Sequence, residues 1–402
     1  MSLRSRALHD DAHAHFRRMR RESPVYRARL SLRRDVYLVT RYDDVKALLA
    51  GDDLVKKPGN AEGARRRREP WAPAMIRPLL TSLLFADDPA HRRIRGLVRQ
   101  AFTPRRIALL EPRIAAITEA LLDRVVARRG RDAGRLELVD ALALPLPLRV
   151  IAELVGVPDE DLPRFLAWSQ RILGPTTPLH MLRALPAVRG FLRYVDALAD
   201  ARRASPRGDL MSALVAAEDA GDRLSRDELL GMVFLLLTAG HETTVSLITN
   251  GVRALLESPD QLALLRAQPE LMDLAIEELL RFDGPLLTTE LYYARRPLML
   301  RGATIPAGEA VLPVLLSANR DEAAFADADR LDIRRDPNPH LAFGRGAHFC
   351  LGAPLARLEG RVAIAALLRR LPGLRLAEPA QPQRYENAWI LHKPRGLALR
   401  WG

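Results

Sequence analysis

The sequence predicts a mainly α protein of the α+β type, with a large helical body and a smaller β-sheet region. Apolar residues recur with helical periodicity from Asp88 to about Leu271. Segments rich in β-branched and aromatic residues lie near both ends of the chain. No internal repeat and no low-complexity linker divides the sequence. We therefore expect a single domain over residues 1–402, in which residues 1–34 carry the least information.

Two segments near the N-terminus predict strands. Val25-Tyr26 and residues 36–40 are rich in the residue types that strands prefer. Residues 56–82 contain many Gly, Pro and Arg residues and predict a long loop. Such loops in compact domains are usually functional or disordered.

The central helices are marked by their ends as well as by periodicity. The longest is predicted from about Ser225 to Glu257, because Ser225 and Glu228 form a capping-box pattern and Pro259 follows. An earlier helix is expected to end at Gly130. Its apolar face consists of residues three and four positions apart, namely Ile114, Ile117, Leu121 and Val125.

The pattern changes after a helix predicted from roughly Glu270 to Phe282. Residues 285–316 carry Gly, Pro and short apolar runs and predict strands and turns, whereas residues 317–349 are expected to be irregular. A final helix is predicted after Cys350 and ends at Pro372-Gly373. Its expected apolar face consists of Leu355, Leu358, Val362 and Ala365.

Composition limits the class of protein. The 402 residues are 48% hydrophobic, and the formal net charge of +13 implies an acidic partner without identifying it. Cys350 is the single cysteine, so a reducing, cytoplasmic location is expected. Met1–Arg21 has no apolar core, and Leu229–Gly240 is shorter than the ~18 residues that cross a membrane. We therefore expect neither a signal peptide nor a membrane anchor.

Two charged clusters have simple interpretations. His9, His13 and His15 are expected on a solvated terminal helix rather than in a metal site, because no other residues with ligand spacing surround them. The run Arg65–Arg68 lacks the aromatic interleaving of nucleic-acid readers, so no nucleic-acid partner is expected. A role for this run in steering an anionic or carrier-bound substrate stays open.

The segment around Cys350 is the most informative part of the sequence. Gly344, Gly346 and Gly352 allow sharp turns and the close approach of a large flat group. Cys350 begins the final helix, where free N–H groups favour the thiolate form that binds metals. An inert buried cysteine is the usual fate of a lone cysteine, but it does not explain the glycines. A dinucleotide-binding loop would need a third glycine at Phe349.

This segment resembles the haem-binding signature of the cytochrome P-450 family, Phe-x-x-Gly-x-x-x-Cys-x-Gly. Phe343, Gly346, Cys350 and Gly352 fill the signature, and residues 340–357 match its longer bacterial form. The resemblance implies the fold of that family, with haem b between the long central helix and the Cys-loop helix. It also implies that Cys350 is the thiolate ligand of the iron.

The resemblance extends to other cofactor contacts. His91 and Arg95 are similar to the family's His-x-x-x-Arg element, and both are expected to reach a haem propionate. His348 is expected to contact a propionate as well. The remaining cofactor-binding residues that the resemblance implies lie in the cysteine loop: Phe343, Gly344, Gly346 and Gly352.

At one position the sequence departs from the family. Many relatives carry a propionate-binding arginine shortly after their Glu-x-x-Arg helix, where this chain has Tyr292 and Tyr293. Either a tyrosine hydroxyl replaces the arginine, or Arg295 or Arg296 reaches the propionate.

The long helix carries a second motif. Residues 239–244 interrupt an apolar run with an acid and two threonines, whose hydroxyls can bond to a carbonyl one turn back. By itself this pattern also fits a packed core helix. It resembles the family's oxygen-activation motif, which makes Glu242 and Thr243 the catalytic acid–alcohol pair for proton delivery. His241-Glu242 also begins a zinc-protease motif, but Val245 stands where the second histidine is required.

A third motif lies near the end of the helix that is predicted from roughly Glu270 to Phe282. Glu278 and Arg281 share a helix face, an arrangement that alone would predict an exposed ion pair of little energetic value. The pair resembles the family's structural Glu-x-x-Arg motif. Its third partner is expected to be Arg335, with Arg330 as a second candidate.

The resemblance also implies a pocket and partners. A mostly apolar pocket is expected to bind a small hydrophobic substrate, with a lining formed by Leu83, Leu84, Leu236, Ala239, Gly240, Thr243, Leu286, Leu287 and Ile390. No flavin or nicotinamide motif is visible, so electrons are expected from a ferredoxin-type donor on a basic proximal face. The arginines expected on this face are Arg92, Arg93, Arg99, Arg345, Arg357 and Arg361.

The sequence therefore predicts a haem-thiolate monooxygenase. It would insert one atom of dioxygen into a hydrophobic small molecule, by hydroxylation or epoxidation, with electrons from ferredoxin and ferredoxin reductase. Two alternatives are a peroxide-dependent peroxygenase and a non-catalytic haem- or ligand-binding protein. Glu242 and Thr243 argue against both, because peroxide already brings its own protons and a sensor needs no acid–alcohol pair.

Overall fold

The protein was analysed as a computed structural model. It describes residues 3, 5–31, 34–63, 81–172, 178–219 and 224–402, so the run Arg65–Arg68 lies outside the described residues. The chain divides into two compact units. Unit 1 comprises Met1–Arg67, Thr118–Ala143 and Thr243–Gly402, and unit 2 comprises Arg68–Ile117 and Leu144–Glu242. The single domain remains a prediction from the sequence.

Helices dominate the described residues, as the sequence predicted. In chain order they are α1 (Arg6–Asp10), α2 (Ala12–Glu22), α3 (Tyr42–Ala50), α4 (Ala90–Ala101), α5 (Pro104–Ala108), α6 (Glu111–Ala127), α7 (Arg129–Asp132), α8 (Pro145–Val155), α9 (Leu162–Ile172), α10 (Pro178–Ala204), α11 (Leu210–Asp219), α12 (Arg226–Glu257), α13 (Pro259–Ala267), α14 (Met272–Phe282), α15 (Leu315–Ala318) and α16 (Ala353–Arg370).

The strands form smaller sheets, which confirms the α+β class. They are β1 (Val25–Ser31), β2 (Arg34–Val39), β3 (Leu54–Val55), β4 (Arg135–Glu137), β5 (Tyr292–Ala294), β6 (Leu298–Leu300), β7 (Ala303–Ile305), β8 (Ala310–Pro313), β9 (Arg375–Leu376) and β10 (Ala398–Arg400).

The largest described sheet has the strand order β1-β2-β8-β5-β3. Strand β2 pairs in parallel with β8, and the other pairs are antiparallel. In the β3–β5 pair, Leu54 lies opposite Ala294 and Val55 lies opposite Tyr293. Because this register advances one residue at a time, it brings the residue after β3, Lys56, next to Tyr292.

The long helix α12 begins as its sequence predicts. The Ser225 N–H donates to the Glu228 carboxylate at 2.7 Å, and the Glu228 N–H donates to the Ser225 hydroxyl at 3.2 Å, which completes the capping box. By length and composition α12 could cross a membrane, yet 56% of its most apolar window is buried inside the protein. That burial is typical of the core helix of a globular protein.

Two helix predictions are wrong in detail. Helix α6 ends at Ala127, and Gly130 lies within the short helix α7. The left-handed turn follows at Ala133 and Gly134, with φ of +48° and +68°. In α16, Val362 and Ala365 are only half-buried. The residues that α16 buries are Ala353, Leu355, Leu358, Glu359, Gly360, Ala363, Ile364, Ala366 and Leu367.

The N-terminal histidines are not all solvated, contrary to the sequence-based expectation. His9 is buried, and its Nε2 bonds to the Leu3 carbonyl at 3.0 Å. Nε2 of His13 and Nε2 of His392 both donate to one carboxylate oxygen of Asp283, at 2.9 and 3.0 Å. Burial lowers the pKa of His13 to about 4. A neutral imidazole therefore ties α2 to the segment after α14.

Candidate functional site

The loop that precedes Cys350 folds back on itself. The Cys350 N–H donates to the Phe343 carbonyl at 2.9 Å. Gly346 has a φ of +71°, and a Cβ atom at that position would lie 2.2 Å from the backbone oxygen of Leu49 at the end of α3. A side chain is therefore excluded at Gly346 by both conformation and space. The loop closes tightly against α3 and leaves Cys350 exposed.

The thiol of Cys350 lies just before a helix N-terminus. Helix α16 begins at Ala353 with Gly352 as its N-cap and Pro354 in its first turn, as the sequence predicted. A Cβ atom on Gly352 would lie 3.9 Å from the Cys350 sulfur, so glycine keeps the space beside the sulfur open. The positive potential of a helix N-terminus favours a thiolate at this position.

The surroundings of Cys350 fit haem b. A single exposed sulfur is a soft ligand suited to iron, and the adjacent Phe349 leaves 39% of a large apolar side chain exposed. Exposed apolar surface of this kind is suited to contact with a large flat ring system. His348 is half-buried beside them and offers a polar group two residues from the sulfur.

Helix α12 has a short exposed stretch between buried residues. Leu237 and His241 are buried, with 0% and 1% of their surface exposed. Between them, Ala239 and Gly240 are exposed. Small residues on an exposed stretch within a core helix leave space for a ligand. Glu242 follows directly and is buried.

The acid–alcohol pair lies on consecutive residues of this uninterrupted helix. Glu242 is 8% exposed, and Thr243 is half-buried. A buried carboxyl group beside a partly accessible hydroxyl can hold or pass a proton where bulk water is excluded. The assignment of this role to Glu242 and Thr243 remains a proposal.

Glu278 and Arg281 form a completely buried ion pair, not the exposed pair that their spacing alone would suggest. Two guanidinium nitrogens of Arg281 donate to the two oxygens of Glu278, at 2.7 and 2.8 Å. Such a bidentate pair fixes orientation as well as charge. Nε of Arg335 donates to the same carboxylate at 3.2 Å. The structure thus brings together the three residues that the sequence grouped.

The Glu278 carboxylate and the Arg281 guanidinium also form hydrogen bonds with the irregular segment before the cysteine loop. Nδ2 of Asn338 and the Asp332 N–H donate to Glu278 at 3.0 and 2.9 Å. Arg330, the second candidate, contributes its backbone carbonyl to Arg281 at 3.1 Å. Asn338 was missed by the sequence analysis, because nothing local marks which polar residue of an irregular segment turns inward.

A second ion pair links α14 to α16. Arg357 donates to both oxygens of Glu277, at 2.6 and 2.7 Å, and His340 bonds to the same carboxylate at 3.1 Å. Burial acts to raise the pKa of Glu277, but the hydrogen bonds from Arg357 and His340 outweigh it and hold that pKa at about 2. The Arg357 guanidinium also lies 4.5 Å from the Phe343 ring centre. Arg357 therefore helps to position the cysteine loop.

Other arginines expected on a docking face also have carboxylate neighbours. In unit 2, Arg92 donates to Asp88 at 2.9 Å, and Arg93 pairs with Glu228. In unit 1, Arg361 lies 3.5 Å from an exposed aspartate. Arg99 and Arg345 are exposed. The net positive character of these surfaces is therefore smaller than a count of arginines suggests.

The predicted propionate contacts of unit 2 share helix α4. His91 is 3% exposed, and Arg95, one turn later, is half-buried. Burial lowers the pKa of His91, with Arg95 adding to that effect. An imidazole held neutral can still donate a hydrogen bond to a carboxylate. Contact of either residue with haem stays a proposal.

Tyr292, at the position where the sequence departs from the family, lies next to a buried lysine, Lys56. The Tyr292 ring lies edge-on to the His348 ring, with 5.9 Å between ring centres. The ammonium of Lys56 lies 3.5 Å from the Tyr292 ring centre, and the Lys56 side chain is 1% exposed. Arg296 pairs with Asp53 at 2.6 Å. Sequence analysis missed Lys56.

The residues expected to line the substrate pocket differ in accessibility. In unit 2, Leu84 and Leu236 are half-buried, whereas Leu83 is buried. In unit 1, Leu286 and Ile390 are half-buried. Leu287 is 1% exposed and belongs to the core that packs α2 against β2 and β8. Leu286 is therefore a better candidate than Leu287 for lining the substrate pocket.

Glu359 is a buried carboxyl group that sequence analysis did not single out. It lies on α16, is 2% exposed, and its Oε2 has no hydrogen-bond partner among the described residues. Burial raises its pKa to about 8. The native protein therefore keeps Glu359 protonated at neutral pH, whereas the unfolded chain ionises it near pH 4.5.

Replacing Glu359 with glutamine is expected to stabilise the protein at neutral and higher pH. The folded state binds the extra proton, so wild-type stability falls as pH rises from about 4.5 to 8. The variant removes this dependence and should gain on the order of 3 kcal/mol at pH 7. Urea unfolding at pH 5, 7 and 9 checks this, with the exposed Glu378→Gln as the control. An equal difference between variant and wild type at all three pH values would contradict it.

Comparisons with known proteins agree on one family. Residues 2–397 match the family model described as cytochrome P450. The monooxygenase PikC of Streptomyces venezuelae is 43% identical over 393 residues, covering 97% of this chain and 91% of that protein. A mycinamicin IV hydroxylase/epoxidase of Micromonospora griseorubida is 42% identical over 380 residues, covering 94% and 92%. The structure of PksS from Bacillus subtilis 168 superposes with a TM-score of 0.90 at 35% identity, covering 100% of this chain and 99% of that one.

Proposed function

This chain belongs to the cytochrome P450 family, and from that premise we propose how it carries out its reaction. It is a haem-thiolate monooxygenase, an oxidoreductase whose cofactor is haem b. The observation that carries the proposal is the exposed Cys350 sulfur, held by a glycine-dependent loop at the start of α16. We propose that Cys350 would supply the thiolate that holds the haem iron.

When bound, haem b supplies the one-electron and dioxygen chemistry, and a thiolate ligand donates electron density that favours O–O cleavage. The chain supplies the ligand and the positions of the reacting groups. Cys350 is placed by its N–H bond to Phe343 and by the tight packing of Gly346 against α3. Arg357 and Glu277 hold the same loop from the α14 side.

Glu242 and Thr243 are proposed to deliver protons. Insertion of one oxygen atom into a C–H bond consumes one dioxygen, two electrons and two protons, and releases one water. The buried Glu242 carboxyl holds a proton, and the half-buried Thr243 hydroxyl passes it toward the reacting oxygen. Ala239 and Gly240 leave space next to this pair.

The substrate is proposed to be a hydrophobic molecule of natural-product size. Apolar side chains prevail among the candidate lining residues, of which Leu84, Leu236, Leu286 and Ile390 are partly accessible. One relative is named as a hydroxylase and epoxidase of mycinamicin IV, which supports both reaction types for this chain. We propose hydroxylation or epoxidation, in the cytoplasm.

Electrons are proposed to come from a ferredoxin and its reductase. No flavin- or nicotinamide-binding motif is visible in the sequence, so the electrons must arrive from a partner. The exposed Arg345 next to the cysteine loop is suited to an acidic donor. Arg357 is a weaker candidate for this contact because it is already paired with Glu277.

Turnover with different oxidants tests this function. Purified protein is supplied either with ferredoxin, ferredoxin reductase and NAD(P)H, or with hydrogen peroxide alone, across a panel of macrolides, terpenoids, steroids and fatty acyl chains. The proposal expects product from the electron-transfer system. Turnover with peroxide and none with the redox partners would favour a peroxygenase. Absence of turnover with either, despite bound haem, would favour a ligand-binding protein.

Substitution of the acid–alcohol pair gives a second prediction. Thr243→Ala and Glu242→Gln are each expected to lower product formation by roughly 100-fold, because positioned proton transfer is worth that much or more. The electrons should appear instead as hydrogen peroxide, so NAD(P)H consumption falls much less than product. Thr238→Ala, a matched change five residues before Thr243 in α12, serves as the control. Unchanged coupling of NAD(P)H to product in both variants would contradict the role.

A further inference from the structure

Two histidines and an aspartate from distant parts of the chain converge within unit 1. His13 lies on α2, Asp283 follows α14, and His392 lies in the C-terminal segment before β10. Nε2 of His13 and Nε2 of His392 lie 2.9 and 3.0 Å from the same carboxylate oxygen of Asp283. These three residues are here called the histidine–aspartate cluster. The fold thus gives His13 two neighbours that can bind a metal, which the sequence around it did not reveal.

The donor atoms of the histidine–aspartate cluster are spaced nearly as a tetrahedral metal ion requires. Zinc binds imidazole nitrogen and carboxylate oxygen at roughly 2.0–2.2 Å, which places neighbouring donor atoms about 3.3–3.5 Å apart. Here the two nitrogen–oxygen separations are 2.9 and 3.0 Å, and all three donor atoms lie within 4.8 Å of one another. Side-chain shifts of about 0.5 Å would therefore admit the ion, in exchange for the two hydrogen bonds.

Neighbouring residues hold Asp283 and His392 in place. Nδ2 of Asn250, which is 0% exposed, donates to the backbone carbonyls of both residues, each at 3.1 Å. The Tyr385 ring stacks on the His392 ring with 3.9 Å between ring centres, and its hydroxyl lies 3.4 Å from the second carboxylate oxygen of Asp283. Metal ligands in proteins are typically oriented by outer contacts of this kind. The cluster is therefore built before an ion arrives.

The histidine–aspartate cluster is accessible to water on one side. The His13 side chain is 27% exposed and that of Asp283 is 12% exposed, whereas that of His392 is 2% exposed. A metal ion can therefore reach the donor atoms past His13. The same opening leaves room for a water molecule as the fourth ligand, an arrangement that zinc adopts when the protein provides three.

The charges around the cluster are compatible with a bound cation. The two nearby arginines each have a carboxylate of their own. Arg320 donates to Asp329 at 3.0 Å, and Arg253 donates to Glu257 at 2.8 Å. Among the described residues, the salt bridges of Asp283 are those with the two histidines of the cluster. The Asp283 carboxylate is therefore the charge that a cation meets there.

We propose that His13, Asp283 and His392 form a zinc site that fastens α2 to the C-terminal segment. Two imidazole nitrogens and one carboxylate oxygen are a donor set that suits Zn²⁺. The ion also braces Ile390, a candidate pocket residue two positions before His392, whose carbonyl accepts from the Leu287 N–H at 2.7 Å. This inference is independent of haem binding at Cys350.

Zinc binding to the haem-loaded protein tests the proposal. The protein is dialysed against a chelator and then against graded concentrations of zinc chloride. Bound zinc per chain is measured by inductively coupled plasma mass spectrometry, and the unfolding temperature by circular dichroism. Wild type should bind one zinc ion per chain, and zinc should raise its unfolding temperature. If the chain binds no haem, Cys350→Ser protein is used instead, so failure of the haem site leaves this test intact.

Three variants locate the ion. His13→Gln keeps an N–H donor for Asp283 but removes a metal ligand, so zinc affinity should fall by at least the roughly 10–100-fold that loss of an outer partner costs. Tyr385→Phe removes such an outer partner and should weaken zinc binding roughly tenfold. His15→Gln, a matched change two residues later in α2, should bind zinc as wild type does.

Three results would overturn the proposal. The first is wild-type protein that binds no zinc and whose unfolding temperature zinc does not change. The second is equal zinc affinity in wild type and His13→Gln, which would place the ion elsewhere. The third is an equal loss of affinity in His13→Gln and His15→Gln, which would place the ion on the surface of α2.

Discussion

Replacing Cys350 with serine is expected to abolish product formation supported by ferredoxin, ferredoxin reductase and NAD(P)H. A serine hydroxyl is a harder and weaker donor to iron than a thiolate, so the electron donation that favours O–O cleavage is lost. The fold should survive, because the Cys350 side chain is exposed and its backbone bond to Phe343 does not depend on sulfur. Product is measured by mass spectrometry, and circular dichroism checks the fold.

The neighbouring exposed residue provides the matched control for this substitution. Phe349→Leu changes an exposed apolar side chain in the same loop without touching the sulfur. It should keep a large part of the activity. A Cys350→Ser variant that retains haem and turns over at a rate similar to that of Phe349→Leu would contradict the ligand assignment.

Breaking the buried Glu278–Arg281 pair is expected to have the largest effect on stability. Both side chains are 0% exposed, and Glu278 also accepts from Arg335. Arg281→Leu removes the bidentate cation from the buried Glu278 carboxylate and leaves it the longer contact with Arg335 and the neutral donors of Asn338 and Asp332, which should cost about 3–5 kcal/mol of unfolding free energy. Arg281→Lys should also be harmful, because lysine cannot form the bidentate contact. Urea unfolding of wild type and both variants measures the loss.

A surface pair supplies the comparison. Arg18 and Glu22 lie one turn apart on α2, with side chains 78% and 60% exposed. Arg18→Leu should change the unfolding free energy by less than about 0.5 kcal/mol. Equal effects of Arg18→Leu and Arg281→Leu would refute the view that burial gives the Glu-x-x-Arg pair its importance.

Features with local signals could be predicted from the sequence. The start of α12 depends on a capping box whose two members lie three residues apart. The turn at Cys350 depends on glycines within six residues of it. In such cases the chemistry that forms the structure is contained in the segment itself, so its residue types are sufficient evidence.

Features that depend on tertiary packing could not be predicted in the same way. Lys56 and Lys57 are adjacent and chemically identical, yet only the β3–β5 register buries one of them. His13 is partly buried, and its Nε2 donates a hydrogen bond to Asp283, which lies 270 residues away in sequence. The buried face of α16 includes Glu359, a residue type that periodicity assigns to solvent. Each depends on a neighbour that the local sequence does not name.

The most direct test of the central claim is the absorbance difference spectrum of reduced protein with and without carbon monoxide. It is recorded for wild type and for Cys350→Ser after reconstitution with haem b. The account predicts a strongly red-shifted Soret band in wild type that is absent in the variant, because that shift depends on a thiolate ligand to the iron. A haem-free wild type, or a Soret band typical of histidine ligation, would contradict the assignment of Cys350 and every catalytic role built on it.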